Sequence, residues 1–366
     1  MNKTYLISDI CDVGSSKRIY LSEYQNMGVP FYRGKEIIEK EDNKEISNEL
    51  FISRERYNEI KTKYGAPEIG DILMTAVGTI GISWYVDESD FYFKDGNLIW
   101  FKNFKQDIIN SKYLYYIFKS KMFSEIIKNI SIGSTQKAIT IEQIKKIELS
   151  IPSINIQNKI VKILDDINKK IMLNNKMNDN LNELIRNNYF SIKSNDDWEE
   201  VELEQIADIT TGKRPTDKHE IGEYPVIGAN GVMAYTSIYN LDNDLIITGR
   251  VGTLGVVKRY CNKIWASDNA IVIKTKYLNY IENYLNTIDY NSLNRGSTQP
   301  LLTQGDLKKQ KVKFNEKRII EFEKENQIYV DMIRNNVKEN KNLSQLRDML
   351  LPKLISGEIA LDDLII

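Results

Sequence analysis

The chain has 366 residues, of which 42% are hydrophobic and 10% aromatic, and 50 basic residues stand against 51 acidic ones. This composition excludes a largely disordered chain, and the length predicts two or three domains. The net charge of −1 argues against a stand-alone nucleic-acid binder, and without a signal peptide or long apolar run we expect a cytoplasmic protein that does not enter membranes.

The first part of the chain alternates short β-rich runs with turn signals. Residues 69–86 and 91–104 are examples of such runs. Residues 111–130 instead carry apolar side chains at helical spacing, which predicts one or two helices that cover a sheet. We therefore predict a β-heavy α+β domain over residues 1–151.

A long helix is predicted to follow Pro152, because proline is tolerated in a first helical turn but does not continue a preceding element. No glycine or proline interrupts residues 155–190, so the helix would be about 50 Å long. We assign residues 152–193 to a central spacer helix. Its predicted packing positions recur at spacings of three and four: Ile160, Leu164, Ile167, Ile171, Leu181 and Leu184.

The second half repeats landmarks of the first half in the same order. Gly133–Gln136 (GSTQ) returns as Gly296–Gln299, and Val77–Gly81 returns as Val251–Gly255. The repeat predicts a second β-rich domain over residues 194–315 and a C-terminal helix and tail over 316–366. The packing positions predicted in this second helix are Phe322, Ile333, Leu343, Leu346 and Leu350.

The two apolar stripes need partners, and the simplest arrangement packs the helices against each other, antiparallel, in a pseudo-two-fold design. Aligning the two copies places Asn174 on Asn336 and Asn178 on Asn340, close to the stripes. Such asparagines either set the register of a helical seam or form a solvated polar face, and the sequence does not decide between these possibilities.

The duplicated GSTQ-plus-helix pattern, together with residues 351–359 (LPKLISGEI), resembles the specificity subunit of type I restriction-modification systems. The resemblance covers essentially the whole chain. It implies that each target recognition domain reads one half of a bipartite site in double-stranded DNA, and that the helices dock two methyltransferase subunits. S-adenosylmethionine would bind those subunits, so no cofactor is expected here. Whether restriction/translocase subunits also join is left open.

The residues agree with a non-catalytic subunit. None of the seven prolines is adjacent to another, so the Pro-Pro motif of an amino-methyltransferase is absent. Cys11 and Cys261 have no CxxC partner, and His219 is the only histidine, which gives no support to a zinc site or a catalytic triad. We predict no catalytic residue and no metal site.

Candidate DNA contacts are polar residues in glycine-containing turns, since base edges need hydrogen-bonding side chains and phosphates need cations, hydroxyls and amides. In the first domain they are Tyr32, Arg33, Lys35, Thr75, Ser134, Thr135, Gln136 and Lys137. In the second domain they are Lys213, Arg214, Asn230, Thr248, Arg250, Arg295, Ser297, Thr298 and Gln299.

These positions also have structural interpretations. Arg250 contacts DNA or lies on a hairpin surface, and each GSTQ segment either binds phosphate or forms a turn that caps the next element. Two other functions compete with a specificity subunit: a stand-alone sequence-specific DNA-binding regulator, and the recognition part of a fused methyltransferase or nuclease. The regulator would be expected to be more basic, and the fused enzyme would need catalytic motifs.

Overall fold

The computed structural model of the protein describes residues 2–42, 44–131, 138–193 and 197–359. These residues form two compact units. The first unit contains the residues up to Met172 and those from Asn340 onward, and the second contains Leu173–Glu339. Each unit holds a β-rich domain and part of both long helices, so the predicted α+β class with two spacer helices is confirmed.

The β-rich domain of the first unit begins and ends with two strands that pair with each other. Strands β1 and β10 are antiparallel, with Lys3 opposite Ile151. In chain order the elements are β1 (Lys3–Leu6), α1 (Ile7–Ile10), β2 (Asp12–Gly14), β3 (Tyr24–Gln25), β4 (Val29–Tyr32), α2 (Gly34–Glu41), β5 (Phe51–Ile52), α3 (Arg54–Tyr64), β6 (Ile72–Thr75), β7 (Ser83–Tyr85), β8 (Tyr92–Phe93), β9 (Leu98–Lys102), α4 (Ser111–Phe118), α5 (Lys121–Ile130), α6 (Ile141–Lys145) and β10 (Glu148–Ile151).

Two small sheets form the centre of this domain. One is antiparallel with strand order β2-β9-β6-β7, and the other has the order β3-β5-β4-β8, with β4 and β8 parallel. Strands β6 and β9 are buried on both faces: Met74 and Phe101 pack with α4 and α5, whereas Leu73 and Trp100 pack with Tyr32. Both strands are therefore continuous apolar runs instead of alternating ones.

The second unit repeats this plan. The long helix α7 (Ile154–Ile192) leads into it. Its remaining elements are β11 (Glu199–Glu202), β12 (Asp208–Thr211), β13 (Tyr224–Gly228), β14 (Gly231–Thr236), β15 (Leu245–Gly249), β16 (Val257–Tyr260), β17 (Trp265–Ala266), β18 (Ala270–Lys274), α8 (Leu278–Leu285), α9 (Gln304–Lys308), β19 (Lys311–Phe314) and the long helix α10 (Glu316–Ser356).

One sheet of the second domain matches a sheet of the first strand by strand, and the other, with three strands instead of four, shares a parallel pair with its counterpart. The order β12-β18-β15-β16 corresponds to β2-β9-β6-β7, and the parallel pair β13-β17 corresponds to β4-β8. The outer strands β11 and β19 pair as β1 and β10 do. The duplication predicted from short sequence words is therefore also a duplication of the fold.

The two long helices pack against each other in antiparallel fashion within the second unit. The side-chain amide of Asn336 donates to Asn178 at 2.8 Å, and that of Asn188 donates to Asn326 at 2.9 Å, so residue numbers rise along α7 as they fall along α10. Asn174 is buried with an exposed fraction of 2%, and its amide donates to Glu339 at 2.7 Å. The asparagines therefore lie in the seam and do not form a solvated face.

Most predicted packing positions on the helices are buried or half-buried. In the first unit the positions in the core are Ile160, Leu164, Ile167 and Leu350, with Ile171, Leu343 and Leu346 packed against them. In the second unit Phe322 is buried, Ile333 packs on the same core, and Leu181 is half-buried.

The prediction for Leu184 is wrong. Its side chain is 39% exposed, and Ile185 and Tyr189 are buried instead. The buried stripe advances by alternating steps of four and three residues, from Asn174 to Asn178, Leu181 and Ile185, which leaves position 184 outside the seam.

Within the predicted segment of C-terminal helix and tail, the helix continues to Ser356 with Pro352 inside it. A proline in a helix interior removes a backbone hydrogen bond. Leu351 and Leu354 on either side of it are buried in the core of the first unit, and their burial offsets that loss.

Candidate nucleic-acid interface

The predicted contact residues of the second domain lie at one end of its two sheets. Strands β12 and β15 finish at this end, β16 and β18 begin there, and the turn between β13 and β14 lies beside them. Because neighbouring antiparallel strands reverse direction, turns that are far apart in sequence meet at this edge. Lys213, Asn230 and Arg250 are carried by three of these turns.

Glycine allows two of these turns to pack closely. A Cβ atom added to Gly249 would lie 2.0 Å from the carbonyl oxygen of Thr253 and 2.9 Å from that of Ala229. Any side chain at position 249 would push the β13–β14 turn away from the turn that follows β15. This contact is between two of the segments that carry predicted DNA contacts.

Arg250 follows β15 and is held by its own backbone. Its amide donates to Asn269 at 2.9 Å and its carbonyl accepts from Leu302 at 2.8 Å. The side chain is half-buried, and Nη1 donates to the carbonyl oxygen of Asp268 at 3.0 Å. A guanidinium has five N–H donors, and this bond uses one of them while fixing the direction of the group.

The second GSTQ segment lies against the turn that contains Gly252. The amide of Gly252 donates to the carbonyl of Pro300 at 2.9 Å, and Val251 forms a β-bridge with Leu301. Gly252 has a φ of 87°, a backbone conformation that glycine adopts without strain. Ser297, Thr298 and Gln299 are all exposed. The structure therefore brings the two repeated sequence words of this domain together.

Arg295, which precedes this segment, is paired with an acidic residue. Its guanidinium contacts Asp306 through two bonds of 2.8 and 3.1 Å. Hydrogen bonds from Arg295 and Thr303 lower the pKa of the Asp306 carboxyl to about 2. Thr303, not Ser297 or Thr298, caps α9 by accepting from the amide of Asp306.

Lys213 and Arg214 are exposed and follow β12. The backbone of Lys213 is fixed on both sides, since its amide donates to Ala266 at 2.9 Å and its carbonyl accepts from Trp265 Nε1 at 2.8 Å. The Lys213 side chain therefore extends from an anchored backbone, with Arg214 next to it, at the same strand end as Arg250.

In the first domain the corresponding segments also meet at one sheet end. The amide of Ile139 donates to the carbonyl of Ala76 at 2.9 Å, as that of Leu302 does to Arg250. Lys35 is exposed, and Arg33 binds the buried carboxylate of Glu36 at 2.6 Å. The predicted contacts Ser134, Thr135, Gln136 and Lys137 lie outside the described residues.

Three predicted contacts are buried. Tyr32 packs on Phe91, and its hydroxyl donates to Glu88 at 2.7 Å. The Thr75 hydroxyl accepts from the amide of Ile82 at 3.0 Å, and Thr248 is fully buried in β15. Buried side chains cannot reach a ligand without rearrangement of the fold, so we correct the role of Tyr32, Thr75 and Thr248 to support of the strands that carry the turns.

The sequence prediction omitted two groups at these strand ends. Lys258 is the second residue of β16, the strand beside the β13–β14 turn, and its Nζ donates to the carbonyl of Asn230 at 3.4 Å. In the first domain Lys17 is exposed just after β2, the counterpart of the strand before Lys213. The register of the sheets identifies both residues, whereas neither of them lies in a distinctive sequence motif.

Among the residues that the structure describes, no group of three or more histidine, cysteine, aspartate or glutamate side chains could hold a metal ion. The helices in the described part of the chain include none that is both long and apolar enough to cross a bilayer.

Two similar β-rich domains, each associated with segments of two long helices and each with polar turns gathered at one sheet end, define the class of fold. The chain belongs to the family described as type I restriction modification DNA specificity domain, whose sequence profile matches residues 2–183 and 195–316.

Individual relatives agree with this assignment. The chain is similar to the specificity subunit of the type I restriction enzyme MjaIX of Methanocaldococcus jannaschii, with 25% identity over 98% of this chain and 93% of that protein. A Haemophilus influenzae protein described as a type I restriction enzyme specificity subunit is 35% identical over 166 residues, which are 45% of this chain and 40% of that protein.

A crystal structure of the S subunit of a type I restriction-modification system from M. genitalium has the same fold. It superposes with a TM-score of 0.61 over 97% of this chain and 96% of that one, at 17% sequence identity.

Proposed function

We propose that this chain is the DNA-specificity subunit of a type I restriction-modification complex, in which each β-rich domain reads one half of a two-part target. The observation that carries the proposal is the meeting of Asn230, Arg250 and Gln299 on three turns at one sheet end, in a domain whose fold is repeated in the other unit. Amide and guanidinium groups supply the bidentate donors and acceptors that base edges require.

The chemistry is assigned to partner subunits. Methyltransferase subunits would dock on α7 and α10 and bring S-adenosylmethionine, while this chain selects the sequence. Restriction/translocase subunits are further candidate partners. A net charge of −1 agrees with this division, because the complex and not the isolated chain would supply most of the favourable electrostatic energy for binding DNA.

Domain exchange tests the proposal. The chain is expressed with its methyltransferase subunits, and methylated sites are mapped across a genome. Replacing residues 1–151 by the corresponding domain of a relative should change one half of the methylated sequence and leave the other half unchanged. A change in both halves, or in neither, would contradict independent reading.

The isolated chain supplies the second arm of this test. We expect no methyltransferase, nuclease or ATPase activity from it, and much weaker sequence-specific binding than from the complex. Methyl transfer by the purified chain alone would favour a fused enzyme, and tight specific binding without partners would favour a stand-alone regulator.

A further inference from the structure

The hairpin of β13 and β14 presents two neighbouring apolar side chains to solvent. Val232 and Met233 are 55% and 47% exposed, although residues next to each other in a regular strand point to opposite faces of the sheet. The pairing shifts at this point: Ile227 is opposite Val232, but Val226 is opposite Ala234. Met233 is therefore the extra residue of a β-bulge.

A bulge of this kind redirects side chains, and such bulges occur often beside functional sites. Here the bulge is next to the hairpin turn that carries Asn230. The Sδ atom of Met233 lies 2.9 Å from where a Cβ on Gly228 would be, so the thioether folds over the strand residue that precedes the turn. Exposing two apolar side chains to water is unfavourable, and nothing in the described hairpin requires it.

The surroundings of this apolar pair are polar, since Lys218, His219 and Glu220 line the surface beside Val232 and Met233, and with Lys258 near the turn the lysines outnumber the one carboxylate. Lys258 donates to the backbone of Asn230 at 3.4 Å, and Gly249, which precedes Arg250, packs against Ala229 in the same turn. A ligand that carries negative charge and also offers small apolar groups fits this surface. Duplex DNA combines these properties, because the 5-methyl group of thymine lies in the major groove between the phosphate chains.

We propose that Val232 and Met233 read a thymine methyl group in the half-site of the second domain, beside the polar contacts of Asn230 and Arg250. This inference rests on the proposed function, and it adds an apolar specificity element to it. The second half-site must then contain an A·T pair whose thymine methyl group contributes to affinity.

The test uses the full chain in complex with its methyltransferase subunits. The probes are synthetic duplexes of the methylated sequence mapped for that complex, each with one thymine of the second half-site replaced by deoxyuridine, which lacks only the methyl group. Affinity is measured by fluorescence anisotropy. One substitution should weaken binding by about fourfold, the equivalent of one methyl group removed from a contact.

The variant Val232→Ser/Met233→Ser should bind the thymine and deoxyuridine probes equally. Ile221→Ser is the matched control, since Ile221 is 88% exposed and its neighbour Gly222 packs on Tyr235 and Thr236, at the other end of the hairpin. This control should keep the fourfold difference, and thermal melting of both variants verifies that they fold.

A second half-site without thymine, no deoxyuridine effect in the wild-type complex, or an effect that persists in Val232→Ser/Met233→Ser would each overturn the inference. These outcomes differ from failure of the proposed function. In that case the wild-type complex would show no sequence preference that depends on residues 194–315, whatever the probe.

Discussion

Arg250 has both its backbone and its side chain oriented by neighbouring carbonyl groups. Nη1 donates to Asp268, and the amide donates to Asn269. A side chain already held in one direction loses less conformational entropy when it binds. Its position and anchoring therefore favour a specific contact over a general attraction to phosphate.

We predict that Arg250→Ala lowers the affinity of the complex for its target by about 1–3 kcal/mol, the typical contribution of a bidentate base contact, and relaxes the sequence requirement at one position of the second half-site. Methylation mapping and anisotropy titrations measure both effects. An unchanged affinity and an unchanged methylation pattern would show that the assignment is wrong.

The variant Lys213→Ala is compared with Arg250→Ala to separate phosphate contacts from base contacts. Because Lys213 is exposed and carries a point charge, we expect it to contact phosphate. Its loss should weaken binding to all sequences alike. The slope of the logarithm of affinity against the logarithm of salt concentration should fall by about one, because one phosphate contact fewer releases about one counterion fewer. A change of sequence preference in Lys213→Ala would contradict this division of roles.

Which residues in a turn are exposed could be predicted only in part from the sequence. Arg250, Asn230 and Gln299 were chosen as polar residues beside glycines, and they do lie together. Thr75 and Thr248 were chosen by the same rule but are buried. Their strands are covered on both faces, and alternation along the strand gives no signal of exposure there.

The periodic pattern of apolar residues predicts the two long helices, but it does not select every residue that packs between them. Their existence and approximate limits followed from apolar residues at spacings of three and four without an interrupting glycine. The inclusion of Leu184 was wrong because Leu184 and Ile185 are both apolar, and only the packed register selects one of them.

The hydrogen bond between Asn178 and Asn336 makes a specific prediction about this seam. Asn178→Leu removes the acceptor of the Asn336 amide, so the single variant should lose about 1–3 kcal/mol in free energy of unfolding. The double variant Asn178→Leu/Asn336→Leu should recover that loss or exceed wild-type stability, because a matched apolar pair replaces the polar one. Urea denaturation measures both free energies.

Asn182→Leu is the control, since Asn182 is exposed on the same helix. Its substitution should change the free energy of unfolding by no more than about 0.5 kcal/mol. If the double variant is as unstable as the single one, the two asparagines do not act as a pair.

At the scale of the whole molecule, α7 with 39 residues and α10 with 41 residues are each about 60 Å long at 1.5 Å per residue. We expect these helices to set the number of unread base pairs between the two half-sites. The antiparallel register places the region of Asn175 on α7 beside that of Glu339 on α10, as the contact of Asn174 with Glu339 shows.

We predict that inserting four residues after Asn175 together with four after Glu339 lengthens the unread spacer by one or two base pairs while both half-sequences persist. Four residues add about 6 Å and nearly complete one helical turn, so the seam stays in phase. A paired insertion of two residues should turn the seam outward and abolish assembly. Methylation mapping distinguishes these results, and an active four-residue variant with an unchanged spacer would contradict the role of the helices.

The sequence predicted the duplication but not the arrangement of the sheets. Repeated words located the turns at Val77 and Val251, whereas the strand orders depend on pairings between short strands far apart in the chain, such as β2 with β9. Helices α2 and α3 were also missed within a region that was assigned to strands. Long-range pairing of short strands leaves little local signal in one sequence.

The pairing of β1 with β10, and of β11 with β19, affects how a gene segment that encodes one domain can be exchanged. The two ends of each β-rich domain lie side by side, Lys3 beside Ile151 and Glu199 beside Phe314. A gene segment that encodes everything between such a pair can therefore be replaced by recombination without moving the ends to which the helices are joined. On the proposed function, a lineage with this architecture acquires a new methylation pattern in a single genetic event, while its partner genes stay as they are.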